Sequence, residues 1–234
     1  MTVESHRPIK EAYPFLLASF DIIIILFYYN NIFKQQFNSF KMVAALDLAI
    51  EKFIADLDKD EQFLEVADII LNNSLGKIWM IGGGVYRSIS ANLHGNELPA
   101  VDRDFIVENG MVSFELPSGW VVGRNRHGNP KFIQEKTNRS IDYVPINTIH
   151  SILARNLAPT IENYLTGTPL NVQSITYDVL SKQVIGDVGL HAISEKRVRV
   201  NNYAEAIHGS ERKGMTLNEY IQKIADSLGF KADI

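Results

Sequence analysis

Ile81-Gly82-Gly83-Gly84-Val85-Tyr86-Arg87-Ser88 is followed a short way on by Val101-Asp102-Arg103-Asp104-Phe105-Ile106-Val107. The first run is a glycine turn that opens a helical pattern. The second carries two carboxylates, one residue apart, in an apolar stretch. Side chains alternate faces along an extended chain, so Asp102 and Asp104 are expected on one face. Two carboxylates so placed repel unless a cation lies between them, and acids in an apolar strand need a partner or a metal. A glycine turn at a helix start offers backbone N–H groups suited to phosphate. Together the two runs point to a nucleotide held by its phosphates and by divalent metal.

A third acid lies downstream. Ser140-Ile141-Asp142-Tyr143-Val144-Pro145-Ile146 is another apolar strand with a single carboxylate. If it pairs beside the Asp102–Asp104 strand, three carboxylates converge. Such a cluster suits two Mg²⁺ ions (or Mn²⁺), and one carboxylate doubles as general base. The glycines match neither G-x-x-x-x-G-K-[ST] nor G-x-G-x-x-G, so neither a Walker-type loop nor a dinucleotide fingerprint is present. The six histidines lack H-E-x-x-H spacing. Ser88 and Ser90 have no neighbouring base and read as helix surface.

The remainder of the chain suggests one α+β domain with a mixed sheet flanked by helices. Residues 42–73 read as two helices, broken at Asp58-Lys59-Asp60. Lys77–Ile81 reads as a strand, Val85–Leu93 as a helix, and Val101–Val107 and Met111–Leu116 as strands joined by an Asn109-Gly110 hairpin. Trp120–Val122, Lys131–Gln134 and Ser140–Ile146 follow as strands, Thr148–Arg155 as a helix, and Leu170–Tyr177 and Arg197–Val200 as extended. Tyr203–Ile207 and Leu217–Leu228 read as helices, with Gly229 as a stop.

With 234 residues, 46% hydrophobic and 21% charged, the chain has enough material for a substantial core. The net charge of −4 disfavours strong autonomous binding to nucleic acid, which calls for a basic excess. The chain has no cysteine, which removes thiolate nucleophiles and zinc–thiolate sites and fits a reducing, cytoplasmic setting. Phe15 to Phe33 is apolar but interrupted by Asp21. Three readings of 15–33 stand: an N-terminal extension over residues 1–41 outside a domain at 42–234, for which an upstream start is one origin, is favoured over membrane contact and over a packed helix.

The glycine turn and the D-x-D together resemble the DNA polymerase β-type nucleotidyltransferase superfamily. The closer likeness is to the catalytic head of tRNA nucleotidyltransferases and bacterial poly(A) polymerases. Gly83-Gly84-Val85-Tyr86-Arg87 fits that family's G-G-x-x-R-D, with Ser88 in place of Asp. Pro169-Leu170-Asn171-Val172-Gln173-Ser174-Ile175-Thr176-Tyr177-Asp178 runs in step with its D-F-T-I-N-A-L-A-Y-D segment, and an apolar turn (184–190) and a basic strand (196–200) follow. Thr168-Pro169 stands where the family has Arg-Asp, and Gln173 where it has Asn. No E-D-x-x-R selector is visible. Gly123-Arg124-Asn125-Arg126-His127-Gly128-Asn129 resembles a basic turn of some small members.

The resemblance implies metal-dependent transfer of a nucleoside monophosphate from an NTP to a hydroxyl, releasing pyrophosphate. Asp102, Asp104 and Asp142 would be catalytic and metal-binding. Gly82, Gly83, Gly84 and Arg87 would hold the nucleotide. The acceptor is left open among RNA, a protein and a small molecule. Two other readings of the residues stand beside it: a D-x-D glycosyltransferase using a sugar nucleotide, and a non-catalytic nucleotide-binding relative.

Overall fold

The computed structural model describes residues 40–97 and 103–234. Contacts divide the chain into residues 1–45 and residues 46–234, and the fold is that of the second unit. The 15–33 segment and Asp102 lie outside the described residues. Among the described residues no helix is long and apolar enough to cross a membrane.

A helix over residues 40–57 (α1) contributes Phe53 and Leu57 to the core. The Asp58-Lys59-Asp60 break is a capping event. Asp60 Oδ1 accepts from Phe63 N at 3.0 Å and starts α2 (Glu61–Asn72). The other oxygen of Asp60 takes the Arg103 guanidinium, tying this helix start to the foot of a central strand. From α2, Phe63, Val66, Ile69 and Ile70 are buried along one stripe.

Seven strands form one mixed sheet: β1 (Ser74–Ile81), β2 (Arg103–Gly110), β3 (Trp120–Arg124), β4 (Pro130–Gln134), β5 (Ser140–Pro145), β6 (Thr176–Asp178) and β7 (Gln183–Ile185). Their order is β3-β4-β5-β2-β1-β6-β7. Within this sheet, among the described residues, β2 and β5 are the one parallel pair. Between β1 and β2 lies α3 (Gly83–His94).

Alternation along the strands sorts the residues onto two faces. Phe105, Val107, Ile141, Tyr143 and Phe132 face the larger core, with Val85 and Ile89 of α3 and the stripe of α2. Trp79 and Ile106 face a smaller core, covered by Ile152 of α4 (His150–Leu153) and Ile161 of α5 (Ile161–Leu165).

Beyond the sheet, α6 (Asp187–Glu195) leads into β8 (Arg197–Val198). Then come α7 (Tyr203–Glu211), α8 (Leu217–Leu228) and β9 (Lys231–Ala232), which pairs with β8. The last long helix has the expected Gly229 stop and a capping box that was not anticipated. Thr216 and Glu219 make a reciprocal capping box, and Gly229 closes the helix at φ 66°.

Several expectations are corrected. Met111–Leu116 is not a strand, and Asn109-Gly110 does not turn a hairpin. Instead β2 is flanked by β1 and β5. The backbone groups of this segment find side chains rather than a ladder. Met111 N donates to the Tyr143 hydroxyl at 3.0 Å, Glu115 N donates to Asn73 Oδ1 at 2.6 Å, and Asn73 Nδ2 donates to Glu115 O at 2.8 Å.

Leu170–Tyr177 splits into a 3₁₀ turn at Asn171–Gln173 and the short β6. Thr148–Arg155 is a 3₁₀ turn followed by α4, and the basic 197–200 strand is two residues long. The helices α5 and α6 were not anticipated. The second follows Gly186 at φ 125°, where a Cβ would sit 2.3 Å from Ser174 O, so the chain turns there only because the residue is glycine.

Candidate active site

The parallel pairing of β2 with β5 sets Asp104 directly opposite Asp142. Directly opposed residues share a face, so the two carboxylates stand side by side on the sheet. On the far side of β5, Lys131 opposes Asp142, with Nζ 3.7 Å from Oδ1. On the near side of β2, Ile81 opposes Asp104. One cross-strand row therefore reads Lys131, Asp142, Asp104, Ile81. It lies on the face of the smaller core, at the end where the chain leaves β1 for α3.

That exit is the glycine turn. Gly82 has φ 73° and ψ −150°, a conformation essentially confined to glycine. Gly83 and Gly84 are already helical, so of the three glycines the positive φ belongs to the first alone. A Cβ on Gly82 would lie 3.4 Å from Asp104 Oδ2, which measures how closely the turn approaches the acid. No side chain caps the start of α3. The N–H groups of a helix's first turn have no intrahelical acceptors, so those of Gly83 and Gly84 are free to meet an anion.

Asp142 is half-buried. Its Oδ2 accepts from Asn125 Nδ2 at 3.3 Å, while the buried Oδ1 has no hydrogen-bond partner. Two carboxylates side by side next to a glycine turn make a donor set that suits a hard divalent cation, and a single lysine at 3.7 Å only partly balances their charge. Asn125 belongs to the basic turn between β3 and β4, so that turn bends onto the acids. Asn125 Oδ1 also accepts from the backbone N–H groups of His127 and Asn129, which shapes the turn.

Around this turn positive charge gathers. Arg126 Nε and Arg212 Nη1, the latter from the α7–α8 connection, both donate to His127 Nε2, at 3.2 and 2.9 Å. Guanidinium groups only donate, so that nitrogen is an acceptor and the imidazole is neutral. Burial first, then Arg212 and Arg126, push the His127 pKa down, against a smaller upward pull from Asp142. Arg87, one turn into α3, lies over the Tyr86 ring at 5.7 Å. Among the described residues, neither Arg87, Arg126, Arg212 nor Lys213 lies within 4 Å of a carboxylate.

Two contributors were not foreseen. Tyr164 of α5 is pushed up by burial and then by the charge of Asp104, so a neutral phenol lies in the field of that acid. Arg212 reaches the basic turn across 85 residues of sequence. Neither carries a local signal, because each arrives by the packing of a distant helix. The basic strand residues Lys196, Arg197 and Arg199 are exposed, as a solvated face would be.

No protein-family model matches the chain, and no curated protein does. Among solved structures it is similar to the Thermotoga maritima CCA-adding enzyme complexed with tRNA, at 16% identity and a TM-score of 0.52. That match covers 79% of this chain and 42% of the other. A tRNA-processing enzyme with CTP and a tRNA-processing enzyme in an apo form each align at 16% identity over 67% of this chain. They cover 40% and 39% of those chains, with TM-scores of 0.44 and 0.43. The chain thus spans less than half the length of the structures it matches. What the comparison with the CCA-adding enzyme establishes is the fold alone, an α+β mixed sheet flanked by helices.

Proposed function

We propose that this chain is a metal-dependent nucleotidyltransferase. It would transfer a nucleoside monophosphate from an NTP, ATP included, to a hydroxyl acceptor with release of pyrophosphate. The observation that carries the reading is the register that sets Asp104 against Asp142 beside the Gly82 turn. Asp104 and Asp142 would hold divalent metal, Mg²⁺ or Mn²⁺, with Asp102 as the third ligand. When bound, the metal neutralises triphosphate charge and makes an attacking hydroxyl more acidic.

The residues of the chain do the rest. Gly82 lets the backbone pass close to the phosphates. The N–H groups of Gly83 and Gly84 bind them, and Arg87 adds charge from the same helix. Asp142 takes the acceptor's proton. The acceptor oxygen then bonds to the α-phosphorus in line as the bond to the β-phosphate oxygen breaks, and pyrophosphate leaves. The basic turn and Arg212 line the approach from the β3–β4 side. RNA, a protein hydroxyl and a small molecule all fit the role of acceptor, in a cytoplasmic setting.

The test is to incubate the protein with each α-labelled NTP, Mg²⁺ and cell extract, and to identify what acquires label. Asp104→Asn and Asp142→Asn should each lower transfer by more than about 10²-fold, since metal-held charge stabilisation supplies several kcal/mol. Unchanged transfer in both variants, or no NTP-dependent labelling at all, would sink the assignment. Transfer from a labelled UDP-sugar instead would favour a glycosyltransferase.

A further inference from the structure

Away from the acids, two histidines converge on one glutamate. His150 is the first residue of α4. Glu205 and His208 lie one turn apart on α7, in the order Glu-x-x-His, so both project from one side of that helix. Glu205 Oε1 lies 3.0 Å from His150 Nδ1, and its Oε2 lies 4.0 Å from His208 Nδ1. The two imidazole centroids are 4.7 Å apart at 42°. One ligand atom from each of the three residues falls within 4.8 Å of the others.

A carboxylate whose two oxygens face two different imidazole nitrogens is more than a surface ion pair. One histidine would satisfy Glu205. The second gains little from a carboxylate already engaged, and it brings its ring against the first. A divalent ion among the three atoms resolves this, because it replaces both N–H protons and binds both nitrogens and the carboxylate at once. Ligand atoms about 2.0–2.2 Å from one tetrahedral ion lie roughly 3.4 Å from each other. The observed 3.0 and 4.0 Å bracket that separation for the two carboxylate–imidazole pairs, and all three ligand atoms lie within 4.8 Å of one another.

We propose that His150, Glu205 and His208 form a zinc site that clasps α4 to α7. Two imidazoles and one carboxylate make the donor set that zinc takes, with water in the fourth position. Nitrogen donors select against Mg²⁺. Glu205 is prepared for the role. Its side chain is only 15% exposed, and its backbone N–H is held by the Asn202 cap at 3.2 Å. The site does not depend on the nucleotidyltransferase reading. It would hold the helix that leads into Arg212, and so bear on the basic turn.

The test is a zinc titration of the full chain against a chromophoric chelator, paired with Co²⁺ substitution. The chain should bind one tight equivalent of Zn²⁺, and Co²⁺ should give the visible ligand-field band of a tetrahedral site. Asp104→Asn should leave both unchanged, which separates this site from the paired aspartates. His150→Ala and His208→Ala should each weaken Zn²⁺ by more than about tenfold, the loss that removal of even an outer-shell partner causes. Zn²⁺ should raise the melting temperature of the parent chain but not of His150→Ala. Variants that bind Zn²⁺ as tightly as the parent would overturn the proposal. So would a parent chain without the Co²⁺ band, a result that does not depend on how the variants fold.

Discussion

Asp142 shows how little a residue's type says about its use. Its neighbours on β5, Ile141 and Tyr143, are core residues. Asp142 itself meets Lys131 on one side and Asp104 on the other. Removing the charge from either acid tests the chemistry, as argued above. Gly82 tests the geometry. At φ 73° and ψ −150° it occupies a region that side chains avoid, although a methyl group would still have room at 3.4 Å from Asp104. Gly82→Ala should therefore lower stability by about 1–3 kcal/mol through backbone strain. Urea denaturation reads this directly, and a wild-type midpoint would refute it.

Among the elements, β5 organises the most. It pairs in parallel with β2 and antiparallel with β4, and it projects Tyr143 into the larger core. The Tyr143 hydroxyl donates to Asn73 O at 2.6 Å and accepts from Met111 N at 3.0 Å. It thereby fastens the end of α2 and the non-strand segment after β2. Tyr143→Phe keeps the ring but leaves a donor and an acceptor unpaired, which should cost about 1–3 kcal/mol. Hydrogen exchange at Met111 and its neighbours should speed up more than exchange in β5. Uniform protection across both would show that the hydroxyl is dispensable there.

Across the whole molecule, His94 joins parts distant in sequence. It ends α3, Nε2 bonds Ile193 O of α6 at 3.0 Å, and its ring packs edge-on to Phe230 at 5.6 Å. Burial chiefly pushes its pKa below the ordinary 6.5, with Lys196 adding to this and the Ile193 bond opposing it. The unfolded chain therefore binds a proton more readily than the folded one. Stability from this group is present above the ordinary histidine value and is lost as pH falls below it. The urea midpoint should drop between pH 7.5 and 5.5, and drop less in His94→Gln. Equal pH dependence in the two proteins would exclude this role.

What the sequence determined by itself was local. The helix break at Asp58-Lys59-Asp60, the helix stop at Gly229, the strand patterns, the acids and the glycine turn all follow from short-range rules of capping, alternation and backbone freedom, and they sufficed to name the fold class. The Asn109-Gly110 hairpin failed because Asn73 and Tyr143, close only in space, offered better partners than a ladder. The pairing of Asp104 with Asp142 was conditional on two strands becoming neighbours, which only the parallel register decided. Tyr164, Arg212 and the His150–Glu205–His208 cluster were beyond local reading, because each depends on helices brought together over tens of residues. Spacing along the chain records what a turn of helix or a pleat places together; what packing places together is recorded only in the fold.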